Sequence, residues 1–169
     1  KKKKTVNTRE TLMINTKKIL IPTAFSETSQ AATQYAVELA KKFGAQLHLL
    51  HVIEDPVVYM PMFESYALPP KEDFENFAKT RLDNWILDED KVGLEISTHW
   101  VHGNPFVDIL KYAKREEIDL IVVGTHGRSF TAHLLLGSVA EKVVRKASCP
   151  VLTVRPKGHQ FIHPTSDDE

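Results

Sequence analysis

The run Ile118-Asp-Leu-Ile-Val-Val123, then Gly124-Thr-His-Gly127, nine residues, and Gly137-Ser138 leading into Val139-Ala-Glu-Lys-Val-Val144, decides how this chain folds. The apolar run reads as a buried parallel strand and the last stretch as an amphipathic helix. A strand, a glycine-punctuated loop and a helix N-terminus are the parts from which α/β proteins build phosphate cradles. Glycine lets an anion approach the backbone amides with no Cβ in the way. Ser138 stands where the helix begins, and Glu141 three residues on completes an S-x-x-E capping box. A capped helix after an ordinary loop fits the same spacing, because short glycine patterns recur by chance.

The surrounding pattern separates the two readings. Lys17-Lys-Ile-Leu-Ile-Pro22 reads as a first strand. Ser26 offers the N-cap of a helix with Ala32, Ala36, Leu39, Ala40 and Phe43 at helical spacing, and Gly44 is its stop. A second strand is expected over Gln46 to Ile53, a helix over Lys71 to Asp88 and a third strand over Leu94 to Val101. Asn104-Pro105 opens a helix that runs to Arg115, and a fifth strand covers about Pro150 to Val154. Strands and helices alternate throughout, which predicts an α/β fold with a parallel, doubly wound sheet. Such sheets bind ligands beyond the carboxyl ends of their strands, where the strand order reverses. The loops Pro22 to Phe25 and Thr125 to Leu136 would meet at that crevice, which favours the phosphate site over the plain cap.

At 169 residues the chain suits one domain with a sizeable core. That domain is expected over residues 15–157, preceded by a disordered extension (1–14) and followed by a polar tail (158–169). Lys1 to Thr11 is polar, opens with four lysines and shows no periodicity, and Met13, just before the first strand, is a candidate internal or original start. The stretch Glu54 to Pro70 holds four prolines, three aromatics and two methionines, which makes it a candidate lid or partner surface. Lysine plus arginine equals aspartate plus glutamate at 22 each, so no global field draws nucleic acid or an anionic membrane. The single cysteine, Cys149, excludes an internal disulfide and any multi-cysteine metal site. No segment approaches the ~18 apolar residues of a membrane span or looks like a secretory leader, so a cytoplasmic protein is expected.

The spacing Gly124-x2-Gly127-x9-Gly137-Ser138 resembles the nucleotide-binding pattern of the universal stress proteins. Further similar pieces are Lys18-Ile-Leu-Ile-Pro-Thr23, Leu49-Leu-His-Val52, Gly103-Asn-Pro105, Asp119 to Arg128 and Cys149-Pro-Val-Leu-Thr-Val154. The ordered set spans roughly Lys17 to Arg155. The resemblance implies a Rossmann-like, five-stranded parallel sheet in the order 3-2-1-4-5 with helices on both faces. It also implies a cytoplasmic homodimer in stress response and ATP binding, with magnesium or manganese held by the phosphates. Carried over residue by residue, Gly124, Gly127, Gly137 and Ser138 form the phosphate and ribose cradle. The backbone of Val52 lies against adenine, Pro22 and Thr23 form another wall, Val123 and Val139 flank it, and Arg128 reaches a phosphate. The last strand, Val151 to Val154, pairs with its twin across the dimer axis, which would cover an otherwise exposed sheet edge.

One position departs from the pattern. The family's ATP-binding members carry Asp after the Pro-Thr at the first strand's end, whereas this chain has Ala24. Losing that hydrogen-bonding carboxylate would cost ~1–3 kcal/mol of binding and one metal-anchoring group. No Walker G-x4-G-K-[ST] is present, and Pro22-Thr-Ala-Phe-Ser26 lacks the S-G-G-x-D-S-type loop of adenylating relatives. At most slow ATP hydrolysis is expected, with no catalytic residue assigned. His48 and His51, like His99 and His102, are three apart and point to opposite faces of a strand, so no metal site is expected among them. His126 and His133 fall in the glycine loop, where either could approach a phosphate. Two expectations follow: an ATP-binding regulatory dimer, or a nucleotide-free interaction or chaperone-like dimer with a vestigial pocket.

Overall fold

The computed structural model describes residues 15–54, 69–125 and 137–155. Its elements are β1 (Lys18–Pro22), α1 (Glu27–Phe43), β2 (Gln46–Ile53), α2 (Lys71–Asp83), α3 (Asp88–Lys91), β3 (Ile96–His102), α4 (Pro105–Arg115), β4 (Leu120–Gly124), α5 (Ser138–Lys146) and β5 (Val151–Val154). The five strands form one sheet in the order β3-β2-β1-β4-β5, every pair parallel. The expected doubly wound architecture and its strand order are both present.

Period-two alternation divides the core into two layers. Ile19 and Ile21 of β1, Leu47 and Leu49 of β2 and Val122 of β4 face α1, with Ala32, Ala36 and Ala40 against them. Leu20, Leu50, Val52, Ile121 and Val123 face the other way, onto Ile109, Tyr112 and Ala113 of α4 and Ala140 and Val143 of α5. Small alanines on α1 let that helix sit close over the sheet centre, which is why the middle strands are buried on both faces.

The helix ends follow the sequence signals closely. The Ser26 hydroxyl accepts from the Ser29 N–H at 3.2 Å, and Gly44 closes α1 in the left-handed conformation at φ 63°. Asn104 caps α4 by accepting from the Val107 N–H at 3.4 Å, with Pro105 at the first helical position. Three of the boundaries that differ from expectation have a clear local cause. The helix predicted to reach Asp88 stops at Asp83, because the Asn84 side chain donates to the Thr80 carbonyl at 2.8 Å and the chain turns. Trp85 and Ile86 follow that turn yet still pack into the α1 layer, and the indole N–H of Trp85 donates to Thr33 Oγ1 at 2.8 Å. β3 starts at Ile96, since Gly93 at φ 77° and Leu94 form the turn that leads into it. β4 starts at Leu120, because the Asp119 carboxylate is held by the Lys17 and Lys18 amides at 2.8 and 2.9 Å.

Candidate functional site

The carboxyl ends of β1 and β4 adjoin at the point where the connections leave the sheet in opposite directions. β1 is followed by its neighbour β2, and the chain returns to β4 on the other side. Most of the residues singled out in the sequence arrive there.

At the β1 end, three amides are already engaged. The Thr23 N–H donates to the Leu50 carbonyl at 2.8 Å, the Ala24 N–H to Ser29 Oγ at 3.2 Å and the Phe25 N–H to Thr23 Oγ1 at 3.0 Å. The wall of Pro22, Thr23 and Ala24 is therefore poor in free donors and suits the uncharged part of a ligand better than an anion. Val52, Val123 and Val139 all lie on the α4/α5 face of the sheet, Val52 and Val123 buried and Val139 partly so. By alternation from Leu20, Pro22 belongs to that face as well.

The β4 end is organised by close packing. A Cβ on Gly124 would stand 2.8 Å from the Thr28 carbonyl oxygen and 2.9 Å from its carbonyl carbon, so glycine is needed where β4 meets the first turn of α1. Thr125, only 1% exposed, donates its N–H to the Val154 carbonyl at 2.9 Å. Its own carbonyl accepts from the Gly137 N–H, which pins the start of α5 beside the end of β4.

α5 opens differently from expectation. Gly137 takes the extended N-cap conformation (φ −66°, ψ 150°), Ser138 is the first helical residue and no side chain caps the helix. The expected capping box does not form, because the Ser138 hydroxyl sits one position too late and Arg145 engages the Glu141 carboxylate at 3.4 Å. Among the described residues, no acceptor meets the amides of Ser138, Val139 and Ala140. These are donors at the positive end of a helix, where an anion is stabilised. Gly127 and Arg128, expected to complete the cradle, lie outside the described residues, as do His126 and His133.

Of the other described histidines, His51 borders this crevice through the Thr23 carbonyl, while His48 and His99 stack with ring centroids 6.3 Å apart. His48 and His51 point to opposite faces of β2, as their spacing requires. Gln46 donates its amide to Glu95 Oε1 at 2.9 Å and to Ser97 Oγ at 3.2 Å, so its oxygen accepts from His48 Nε2–H at 3.2 Å. The His48 Nδ1 then accepts from the Tyr112 hydroxyl at 2.9 Å. Burial holds His48 below the usual histidine range, helped by the Lys18 charge, and burial pushes Tyr112 up to about 12. Burial also raises the Cys149 thiol, which marks it as an unreactive one. Among the described residues, no three His, Cys, Asp or Glu side chains converge as a metal site. No described helix is long and apolar enough to cross a membrane.

The model of the universal stress protein family matches residues 15–155. The chain belongs to that family. It is 36% identical over 146 residues to universal stress protein MJ0531 of Methanocaldococcus jannaschii, covering 82% of each chain. It is 34% identical to universal stress protein MJ0577 of the same organism, covering 83% of this chain and 96% of that one. The solved MJ0577 structure superposes with a TM-score of 0.74, covering 86% of this chain and all of the other (100%). A universal stress protein solved in complex with cAMP superposes with a TM-score of 0.64 at 25% identity, covering 84% of this chain and 99% of that one.

Sequence reasoning passed over several residues that shape the site. Thr28, in the first turn of α1, dictates Gly124 on β4, and nothing in the linear pattern couples them. His51 donates from Nδ1 to the Thr23 carbonyl at 2.8 Å and so fixes the β1 wall. Its signal was present, because a polar residue inside an otherwise apolar buried strand needs a partner.

Proposed function

We propose that this universal stress protein binds ATP across the carboxyl ends of β1 and β4 and acts as a nucleotide-dependent regulatory dimer in the cytoplasmic stress response. The observation that carries the proposal is the uncapped start of α5, pinned by Thr125 beside β4. Its Ser138 and Val139 amides offer donors for phosphate beside Gly124 and Gly137, and the motif assigns Gly127 and Arg128, which lie outside the described residues, to the same phosphates. The donor-poor wall of Pro22, Thr23, Ala24 and Val52 takes the base, and Val123 and Val139 flank it. A relative solved with cAMP supports a nucleotide as the ligand class. Ala24 brings no carboxylate to anchor a metal, so magnesium or manganese would be held by the phosphates. The same lack leaves hydrolysis at most slow.

Dimerisation through β5 fits its place at the sheet rim, with Leu152 37% exposed. A second reading, a nucleotide-free interaction or chaperone-like dimer, is favoured by Ala24 alone. Calorimetric titration with ATP and magnesium separates the two. Saturable heat, together with tighter binding by about one decade in Ala24→Asp, supports the regulatory dimer. No heat and no thermal stabilisation at millimolar ATP supports the other.

A further inference from the structure

Phe25 stands at φ 56°, in the left-handed region that bulky side chains avoid. Such outliers persist only where the surroundings over-determine them, and they gather at ligand clamps and switch regions. The surroundings here are a stack of rings. Phe25 lies against His51 with ring centroids 4.3 Å apart, meets Trp85 edge-on at 5.3 Å and meets Phe77 at 6.0 Å and 88°. The Arg81 guanidinium sits 5.3 Å from the Phe25 centroid and 5.7 Å from that of Phe77, bridging both rings.

Phe77 and Arg81 belong to α2, and the rest of that helix is lightly held. Only Ala78 and Leu82 are buried, no side chain caps its N-terminus, and Phe77 is 54% exposed. Among the described residues beyond the stack, Glu75 ties the helix to the sheet through His102 at 3.0 Å. An element with few buried contacts sits at the low end of local stability. Phe25 directly follows Ala24, and His51, on which its ring lies, fixes the Thr23 carbonyl. Movement of α2 therefore reaches the β1 wall through two contacts.

We propose that the Arg81–Phe25–His51 stack is a latch through which α2 sets the shape of the nucleotide wall, with Phe25 as its positioning residue. The proposal rests on the nucleotide reading of the site and names its regulation. Coupling of this kind is reciprocal: a partner that grips the exposed Phe77–Arg81 face changes nucleotide affinity, and nucleotide changes the exposure of that face. Loss of the ligand carboxylate at Ala24 leaves backbone placement as the determinant of the wall, which gives the latch more leverage.

The test combines amide hydrogen exchange without nucleotide and calorimetric ATP titration on Phe77→Ala, Arg81→Ala, Phe77→Tyr and the control Tyr35→Ala, an exposed α1 aromatic outside the stack. In Phe77→Ala and Arg81→Ala, exchange at the Ala24 and Phe25 amides rises and ATP affinity falls about fivefold or more. Phe77→Tyr restores both, and Tyr35→Ala changes neither. Exchange at Ala24 and Phe25 that matches the wild type in both alanine variants overturns the latch. So does ATP affinity that stays constant while exchange rises. Should the wild type bind no ATP, the nucleotide reading falls, and the exchange measurement alone decides whether α2 holds the β1 wall.

Discussion

Gly124→Ala tests whether the first glycine of the motif answers to the fold or to the ligand. The added methyl would stand 2.8 Å from the Thr28 oxygen, 2.9 Å from its carbonyl carbon and 3.0 Å from Cγ2. Two of those three atoms are backbone in the first turn of α1, so relief requires the helix or the end of β4 to shift. Overpacking of this kind costs ~1–3 kcal/mol, and at roughly 2–4 °C per kcal/mol for a domain this size the melting temperature falls by about 2–12 °C. The assay is thermal unfolding by circular dichroism of Gly124→Ala, Thr28→Ala and the double variant. Thr28→Ala removes only the Cγ2 contact, so the double variant keeps more than half of the Gly124→Ala loss. A full rescue by Thr28→Ala would place the clash in the side chain and refute the backbone argument. A Gly124→Ala protein that melts with the wild type but binds no ATP would show that the glycine serves the ligand alone.

Two further outcomes are expected. The carbonyls of Pro150 and Val154 accept from β4, so strand alternation turns the N–H of Val151 and Thr153 to the outer edge of β5. Thr153→Pro should remove an edge donor without touching the β4–β5 ladder, leaving a folded monomer in sedimentation. A Thr153→Pro protein that remains as dimeric as the wild type argues against pairing through β5. His48 is 4% exposed and its folded value is depressed, so the unfolded chain takes up its proton first. Its contribution to stability is complete above the unfolded value of ~6.5 and is lost as pH falls below it, by at most about 1.4 kcal/mol per pH unit. Melting curves at pH 7.5 and 5.5 should show a smaller acid loss in His48→Asn than in the wild type, and equal losses would contradict the assignment.

Much of the fold was legible because its signals are local. Alternation of apolar runs with amphipathic stretches gave the strands and helices, and Ser26, Gly44 and Asn104 cap where short-range chemistry places them. The α2 boundary escaped because the apolar spacing of Trp85 and Ile86 continues past Asn84, where a side chain diverts the backbone. The Ser138 capping box escaped because glycine at position 137 accepts the N-cap conformation itself, which the S-x-x-E spacing does not reveal. The glycines, the β1 wall and Val52 were placed by motif and resemblance, and the described ones gather at the carboxyl edge. Their mutual constraints were not legible. Gly124 with Thr28, Thr23 with His51 and Phe25 with Arg81 are contacts between distant segments, and no periodicity encodes them.

Titration of the isotope-labelled protein with ATP and magnesium, followed by amide resonances, tests nucleotide binding at this edge most directly. The prediction is saturable shifts at Ser138, Val139 and Val52, with Gln46 and Ser97 at the opposite end of the sheet unmoved. Spectra unchanged at millimolar ATP, or shifts confined to residues away from the β1, β4 and α5 ends, would contradict it.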